Sequence, residues 1–427
     1  MKRQLHILVL ATLALVSCLK VETYVDTDPD FGYVKSNSPV NFSWFSRRSL
    51  TTDPASKANP TYFVGNETVT GTERHLPSGT SMGVFGYFHP QTAGVAGSWT
   101  DANDNYPNLF YNWPVSVSES SGTYTYTYPD SRYWPKNVLD RISFIAYYPY
   151  NAHLNTDGSQ NESAVVEPML DTHNKHDGMV SFNYRVPENS EDGLDFMISD
   201  LCMDQSKAVW DADVNHITGI TGADGTVDGT KVRFYFHHAL SQVRVKEIDF
   251  DTSQNSDVTV RVDSVKFGGI YVYGNCQPVP DTLANGQINP DPSGRGRIPV
   301  TEKWTNLLDF RPGAGKKSGV KAAQCYDESD NFIPENVLLL IPQNPFPAGA
   351  TISVFYTLTR REDSVTGEYY SYENNVLSAA LTTTNVYGWD AGKIYTYNIS
   401  LNLKSIKLTA EVVDWLEAGE DVFLEQQ

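Results

Sequence analysis

Gly79-Thr80-Ser81-Met82-Gly83 has the Gly-x-Ser-x-Gly spacing with which hydrolases place a nucleophilic serine on a sharp strand-to-helix turn. That chemistry needs a strand before the serine and a helix after it. Here Leu76-Pro77-Ser78 precedes, and the apolar run Met82 to Phe88 follows, so the segment reads as a turn entering a strand. Asp211-Ala212-Asp213-Val214-Asn215 begins like a calcium loop, but His216 replaces the glycine of the sixth position and Gly222 the glutamate of the twelfth. Asp26-Thr27-Asp28-Pro29-Asp30 fails in the same way at Phe31. His173 and His176 lack a helix and a third ligand. His237 and His238 are adjacent on a predicted strand and point to opposite faces, so they cannot share a ligand. No carboxylate pair stands out. The residues therefore predict no catalytic group, no metal site and no cofactor, and the chain is not expected to be an enzyme.

Cys18 offers a different chemistry. Lys2 and Arg3 precede an apolar run, Leu5 to Val16, too short to span a bilayer and of the length of an export signal. Leu15-Val16-Ser17-Cys18 resembles the lipobox of bacterial lipoproteins. The resemblance implies that residues 1–17 are a signal peptide and that Cys18 becomes the lipidated N-terminus, with palmitate as an acyl chain. Leu19 is not the aspartate that retains some lipoproteins at the inner membrane, which implies a surface-exposed place on the outer membrane.

Aromatic side chains are the third group. Thr123 to Tyr128 alternates Thr and Tyr, which puts Tyr124, Tyr126 and Tyr128 on one strand face. Such a row can stack on sugar rings, build a protein interface, or simply pair across strands. The three tyrosines are candidate ligand or interface residues.

The elements that position these groups read as strands. Ile142 to Tyr148 and Val258 to Val265 are short β-rich segments bounded by turn residues, the pattern of β-sandwich strands. In Val232-Phe234-Phe236 the apolar positions are even, and in Val243-Val245 they are odd, which predicts a bulge or short helical turn between them. A second flip at Lys404-Ser405 predicts two consecutive strands, in different sheets. Residues 151–178, 211–230 and 276–319 read as loops. Once residues 1–17 are removed, 30 basic residues face 51 acidic ones, a net charge of −21 that argues against a nucleic-acid partner. Cys202, Cys276 and Cys325 can form one disulfide at most.

Several segments together resemble the fimbrillin family, the type V pilin and fimbrillin-like lipoprotein group. They are Val40-Asn41-Phe42-Ser43-Trp44 ahead of Arg47-Arg48, Met82 to Phe88, Trp134-Pro135 with Phe144-Ile145-Ala146-Tyr147-Tyr148-Pro149, Phe236 to Val243, Leu338 to Gln343, Trp389 to Tyr397, and Val413-Asp414-Trp415. The resemblance implies an all-β chain with two tandem transthyretin-like Greek-key β-sandwich domains. On this reading residues 18–35 are a lipidated tether, 36–250 the N-terminal domain and 251–427 the C-terminal domain. It further implies proteolytic processing at Arg47 or Arg48, release of a central strand holding Val40 to Trp44, and refilling of its groove by β-strand addition from another fimbrial subunit. Lys404 to Leu424 is the donor candidate. The implied partners are other fimbrial subunits, the outer membrane through Cys18, and a host protein or glycan. The alternative is a monomeric surface lipoprotein that acts as an adhesin or glycan-binding module.

Overall fold

The computed structural model describes residues 33–46, 76, 78–99, 107–121, 123–150, 165–169, 179–187, 194–206, 231–250, 258–280, 297–298, 300–306, 320–324, 337–361, 369–383, 386–402 and 405–414. These residues form 23 strands and one 3-10 turn, Leu381–Thr383, and contain no α-helix. The chain is all-β, as its alternation and β-branched composition predict.

The largest sheet runs, in spatial order, β2 (Asn41–Ser46), β12 (Lys231–His238), β10 (Met197–Ser199), β7 (Arg141–Tyr148), β3 (Ser81–His89), β4 (Phe110–Ser120) and β5 (Thr123–Thr127). Beside β7 lies β11 (Leu201–Gln205), which also pairs with β16 (Arg297–Ile298). A two-stranded sheet joins β1 (Lys35–Pro39) to β6 (Tyr133–Pro135). A third sheet is ordered β17 (Val300–Asn306), β15 (Tyr273–Pro280), β9 (Ser181–Arg185), β8 (Val166–Met169). Two further sheets face each other: β19 (Val337–Leu340), β13 (Ser241–Phe250), β22 (Lys393–Asn402), β23 (Ser405–Asp414), and β18 (Val320–Gln324), β14 (Val258–Gly268), β20 (Thr351–Arg361), β21 (Tyr369–Ala380).

The continuously apolar runs are strands covered on both faces. On β3 and β7, Met82, Val84, Phe88, Ile142, Phe144 and Ala146 enter one core, while Phe85, Tyr87, Ile145 and Tyr147 enter another. The Leu338–Ile341 run divides in the same way. Leu338 and Leu340 join the core between the last two sheets, whereas Leu339 and Ile341 join the core built around Phe182, Phe196 and Cys276. Cys202 and Cys276 lie in different cores and do not pair with each other.

Four features differ from the sequence expectations. Between β12 and β13 there is neither a bulge nor a helical turn. Buried Ala239 and Leu240 carry the chain from one sheet into another, and the sheet change supplies the flip in phase. β22 and β23 are consecutive strands, but they are neighbours in one sheet, with Leu401 opposite Ile406 and Asn402 opposite Ser405. In such a hairpin each facing pair combines an odd and an even number, so parity flips without a change of sheet. The stretch 276–319 holds most of β15, all of β16 and β17, and 151–178 holds β8. Pro278 and Pro280 hid β15; they lie beyond the part of it that β9 covers, where a missing N–H is tolerated. Finally, among the described residues β2 lies at the end of its sheet rather than at its centre. Among the described residues its strand partner is β12, while the preceding strand, β1, pairs with β6. The sheet of β8, β9, β15 and β17 joins strands from both sides of residue 250.

Candidate functional site

The best-defined site is the seat of the N-terminal segment 33–46. β2 runs parallel to β12, from Asn41 opposite Lys231 to Ser46 opposite Phe236. The alternation that begins with Val40 and Phe42 turns both side chains inward, and both are fully buried. Phe42 enters an aromatic pocket. Its ring stacks on Phe234 at 5.6 Å and meets Phe110, Phe144 and Tyr128 at 5.5, 5.7 and 5.7 Å. Edge-to-face and offset contacts of this kind add to the gain from burial. Gly86 is needed on β3, beside Phe110 of β4, since a Cβ there would lie 2.5 Å from the Phe110 ring.

Backbone contacts fix the register. The Val40 N–H donates to the Arg132 carbonyl at 2.8 Å, and the Tyr128 hydroxyl donates to the Val40 carbonyl. Burial raises the pKa of the Tyr128 phenol above its ordinary value, so the hydroxyl keeps its proton. Further back, the Lys136 N–H donates to the Val34 carbonyl at 2.7 Å, and the Tyr33 hydroxyl donates to the Tyr133 carbonyl. Among the described residues, the partners named here all follow Ser46, and Arg47 and Arg48 are the next two residues in the sequence.

The predicted tyrosine row is present on one face. Tyr124, Tyr126 and Tyr128 are half-buried and pack on the core that receives Phe42, whereas Thr125 is exposed. Cys18, Arg47 and Arg48 lie outside the described residues, as do Cys325, His173, His176 and both oxygen-rich loops. Of the donor candidate, 405–414 forms β23, paired along its length with β22, with Ala410 in the core; the remainder lies outside the described residues.

The other groups singled out from sequence are structural. Gly79 has φ +87 in a turn, and Ser81 opens β3 with its hydroxyl 3.0 Å from that of Ser116. His237 and His238 diverge: His237 lies against Glu302, and His238 Nδ1 is 2.9 Å from the Asp195 carboxylate. Among the described residues no group of three or more His, Cys, Asp or Glu could hold a metal ion.

Sequence reading missed one polar cluster. His89 Nε2 is 3.1 Å from the Ser143 hydroxyl, which accepts the Asp204 N–H at 3.0 Å. The Asp204 carboxylate accepts the Trp99 N–H at 2.6 Å and the Ser98 hydroxyl at 2.9 Å. Burial lowers the His89 pKa to about 4 and raises that of Asp204. Ser143 and His89 are both buried, so the cluster fastens the 90–99 loop to the sheet. The partners are 54 and 61 residues apart in sequence, and no local spacing signals them.

A fimbrillin-like family model matches residues 69–415. No curated protein matches the chain significantly. Among solved structures, the chain is similar to a fimbrial protein from Bacteroides vulgatus, with 19% identity over 88% of this chain and 99% of that one and a TM-score of 0.46. It is also similar to a fimbrilin from Porphyromonas gingivalis, with 8% identity over 89% of this chain and 98% of that one and a TM-score of 0.32. The family match spans most of the sequence, and the chain belongs to the fimbrillin-like family.

Proposed function

We propose that this chain is a structural or accessory subunit of a type V-like surface fimbria, with a role in adhesion. It is exported as a lipoprotein on Cys18 and held at the outer membrane, facing outward. Cleavage at Arg47 or Arg48 frees the segment 33–46, and a strand from a neighbouring subunit takes its place beside β12.

One observation carries this reading. Among the described residues, Phe42 packs in an aromatic pocket formed by later residues, on a strand that ends its sheet beside β12, and that strand is followed in sequence by two arginines. Loss of that strand leaves the pocket empty and the outer backbone groups of β12 without a strand partner. Both defects favour capture of another extended segment. Because a captured strand comes from a second molecule, the contact propagates head to tail. β23 already completes its own sheet, so the donor is assigned to the part of Lys404 to Leu424 that follows Asp414.

The test uses the purified mature protein. Arg-specific protease should cut at Arg47 or Arg48. After removal of the freed piece, a synthetic peptide of residues 33–46 should rebind, and the same peptide with Phe42→Ala should not. Resistance of this site in the folded protein, or equal binding of both peptides, contradicts the proposal.

A further inference from the structure

Six large hydrophobic side chains are exposed among the described residues, and three of them, Val34, Val95 and Val138, gather at one pole with exposures of 58, 70 and 60%. There β1 begins, β6 ends, β3 ends and β7 begins. Hydrogen bonds join the segments that carry the valines. The Lys136 N–H donates to the Val34 carbonyl at 2.7 Å, and the Gly97 N–H donates to the Leu139 carbonyl at 2.9 Å. The Gln91 N–H donates to the Asp140 carboxylate at 2.9 Å.

Built turns hold these valines outward. Thr92 and Val95 exchange backbone hydrogen bonds of 3.0 and 2.9 Å across Ala93 and Gly94, whose φ values are 50 and 83. Gly94 N–H is also held by the Gln91 side chain at 2.8 Å. At the other turn the Leu139 N–H donates to the Asn137 side chain at 3.0 Å, and Arg141 donates to the Val138 carbonyl. Lys35 and Lys136 are exposed beside the valines, while the nearby carboxyl of Asp140 is buried and that of Asp204 is engaged by Ser98 and Trp99. Exposed aliphatics grouped with lysines suit a lipid surface, where the valines enter the headgroup layer and the ammonium groups meet phosphates.

The chain itself points to this occupant. Cys18 precedes Tyr33 by 15 residues, and that stretch joins the described structure at this pole. Fully extended, it reaches at most about 50 Å. We propose that the pole of Val34, Val95 and Val138 rests on the lipid surface in which Cys18 is anchored. The proposal depends on the reading of Cys18 as the lipidated residue.

The experiment uses the full-length acylated protein on phosphatidylethanolamine–phosphatidylglycerol vesicles. An environment-sensitive fluorophore is placed at Val95→Cys, Val138→Cys or, as the control, Val376→Cys on β21, each with Cys325→Ser. Emission should rise at least about threefold at the first two positions when vesicles are added, and stay unchanged at the control. Equal responses at all three positions overturn the proposal. A rise at Val95→Cys and Val138→Cys in self-assembled protein without vesicles also overturns it and makes the pole a contact between copies. The mass of the N-terminal peptide separates the two levels. An unmodified Cys18 removes the lipoprotein reading, whereas an acylated Cys18 with a silent fluorophore removes only this inference.

Discussion

The Tyr128 hydroxyl donates to the carbonyl of Val40, and the Tyr128 ring is 5.7 Å from that of Phe42, two residues further on. One side chain from beyond the arginine pair thus holds both the backbone and the apolar anchor of the segment before it. Residues 33–46 are thus held by a few separable contacts around one buried ring.

The two contacts contribute unequally. Phe42→Ala removes a fully buried ring and should destabilise the segment by about 3–5 kcal/mol. Tyr128→Phe keeps the ring and removes one hydrogen bond, for about 0.5–1.5 kcal/mol. Amide exchange at Val40 should accelerate in both variants, more in the first. If exchange at Val40 tracks global unfolding in both, the segment is not a separate unit.

Much of this was legible in the sequence. Alternation located β3, β5, β7, β12, β13, β14, β22 and β23, and the Val40 to Trp44 run is the strand β2. Three things were hidden for physical reasons. Parity cannot tell a hairpin from a change of sheet, which is why Leu401 and Ile406 misled. Pro278 and Pro280 look like loop residues until it is known that β9 stops short of them. Parallel pairing of β2 with β12 joins residues 190 apart, Asn41 and Lys231, and nothing local records it.

Titration of His89 should make the fold acid-sensitive. Its pKa falls from 6.5 to about 4 on folding, because burial disfavours the charged ring. Between these values the unfolded chain binds more protons, so stability is complete above pH 6.5 and declines as the pH drops toward 4. The whole span is worth roughly 3 kcal/mol. Asp204 acts in the opposite sense, since its raised pKa lends stability that is lost as pH rises through it. Urea denaturation between pH 7 and 4 should show a shallower slope for His89→Gln; an unchanged slope would assign the acid sensitivity elsewhere.

Cys276 should be inert in the folded protein. It is fully buried and burial raises the pKa of its thiol, so little reactive thiolate forms. Iodoacetamide should modify it only after addition of denaturant, as read from peptide masses. Rapid labelling under native conditions would contradict its place in the core.

The tyrosine row should matter for stability first. Tyr124→Ser and Tyr126→Ser each remove a half-buried ring from the core around Phe42, and each should destabilise by about 1–2 kcal/mol. Glycan titration of the same variants, scored at a temperature where both remain folded, should show unchanged binding. A selective loss of glycan affinity without loss of stability would instead support the lipoprotein adhesin.

The most direct measurement is the mass of the mature N-terminus in two fractions, the outer membrane and material sheared from the cell surface. The account predicts acylated Cys18 in the first, and chains beginning at Arg48 or Ser49 in high-mass assemblies in the second. Chains that begin at acylated Cys18 in both fractions would contradict release of the N-terminal segment, and with it assembly by strand exchange.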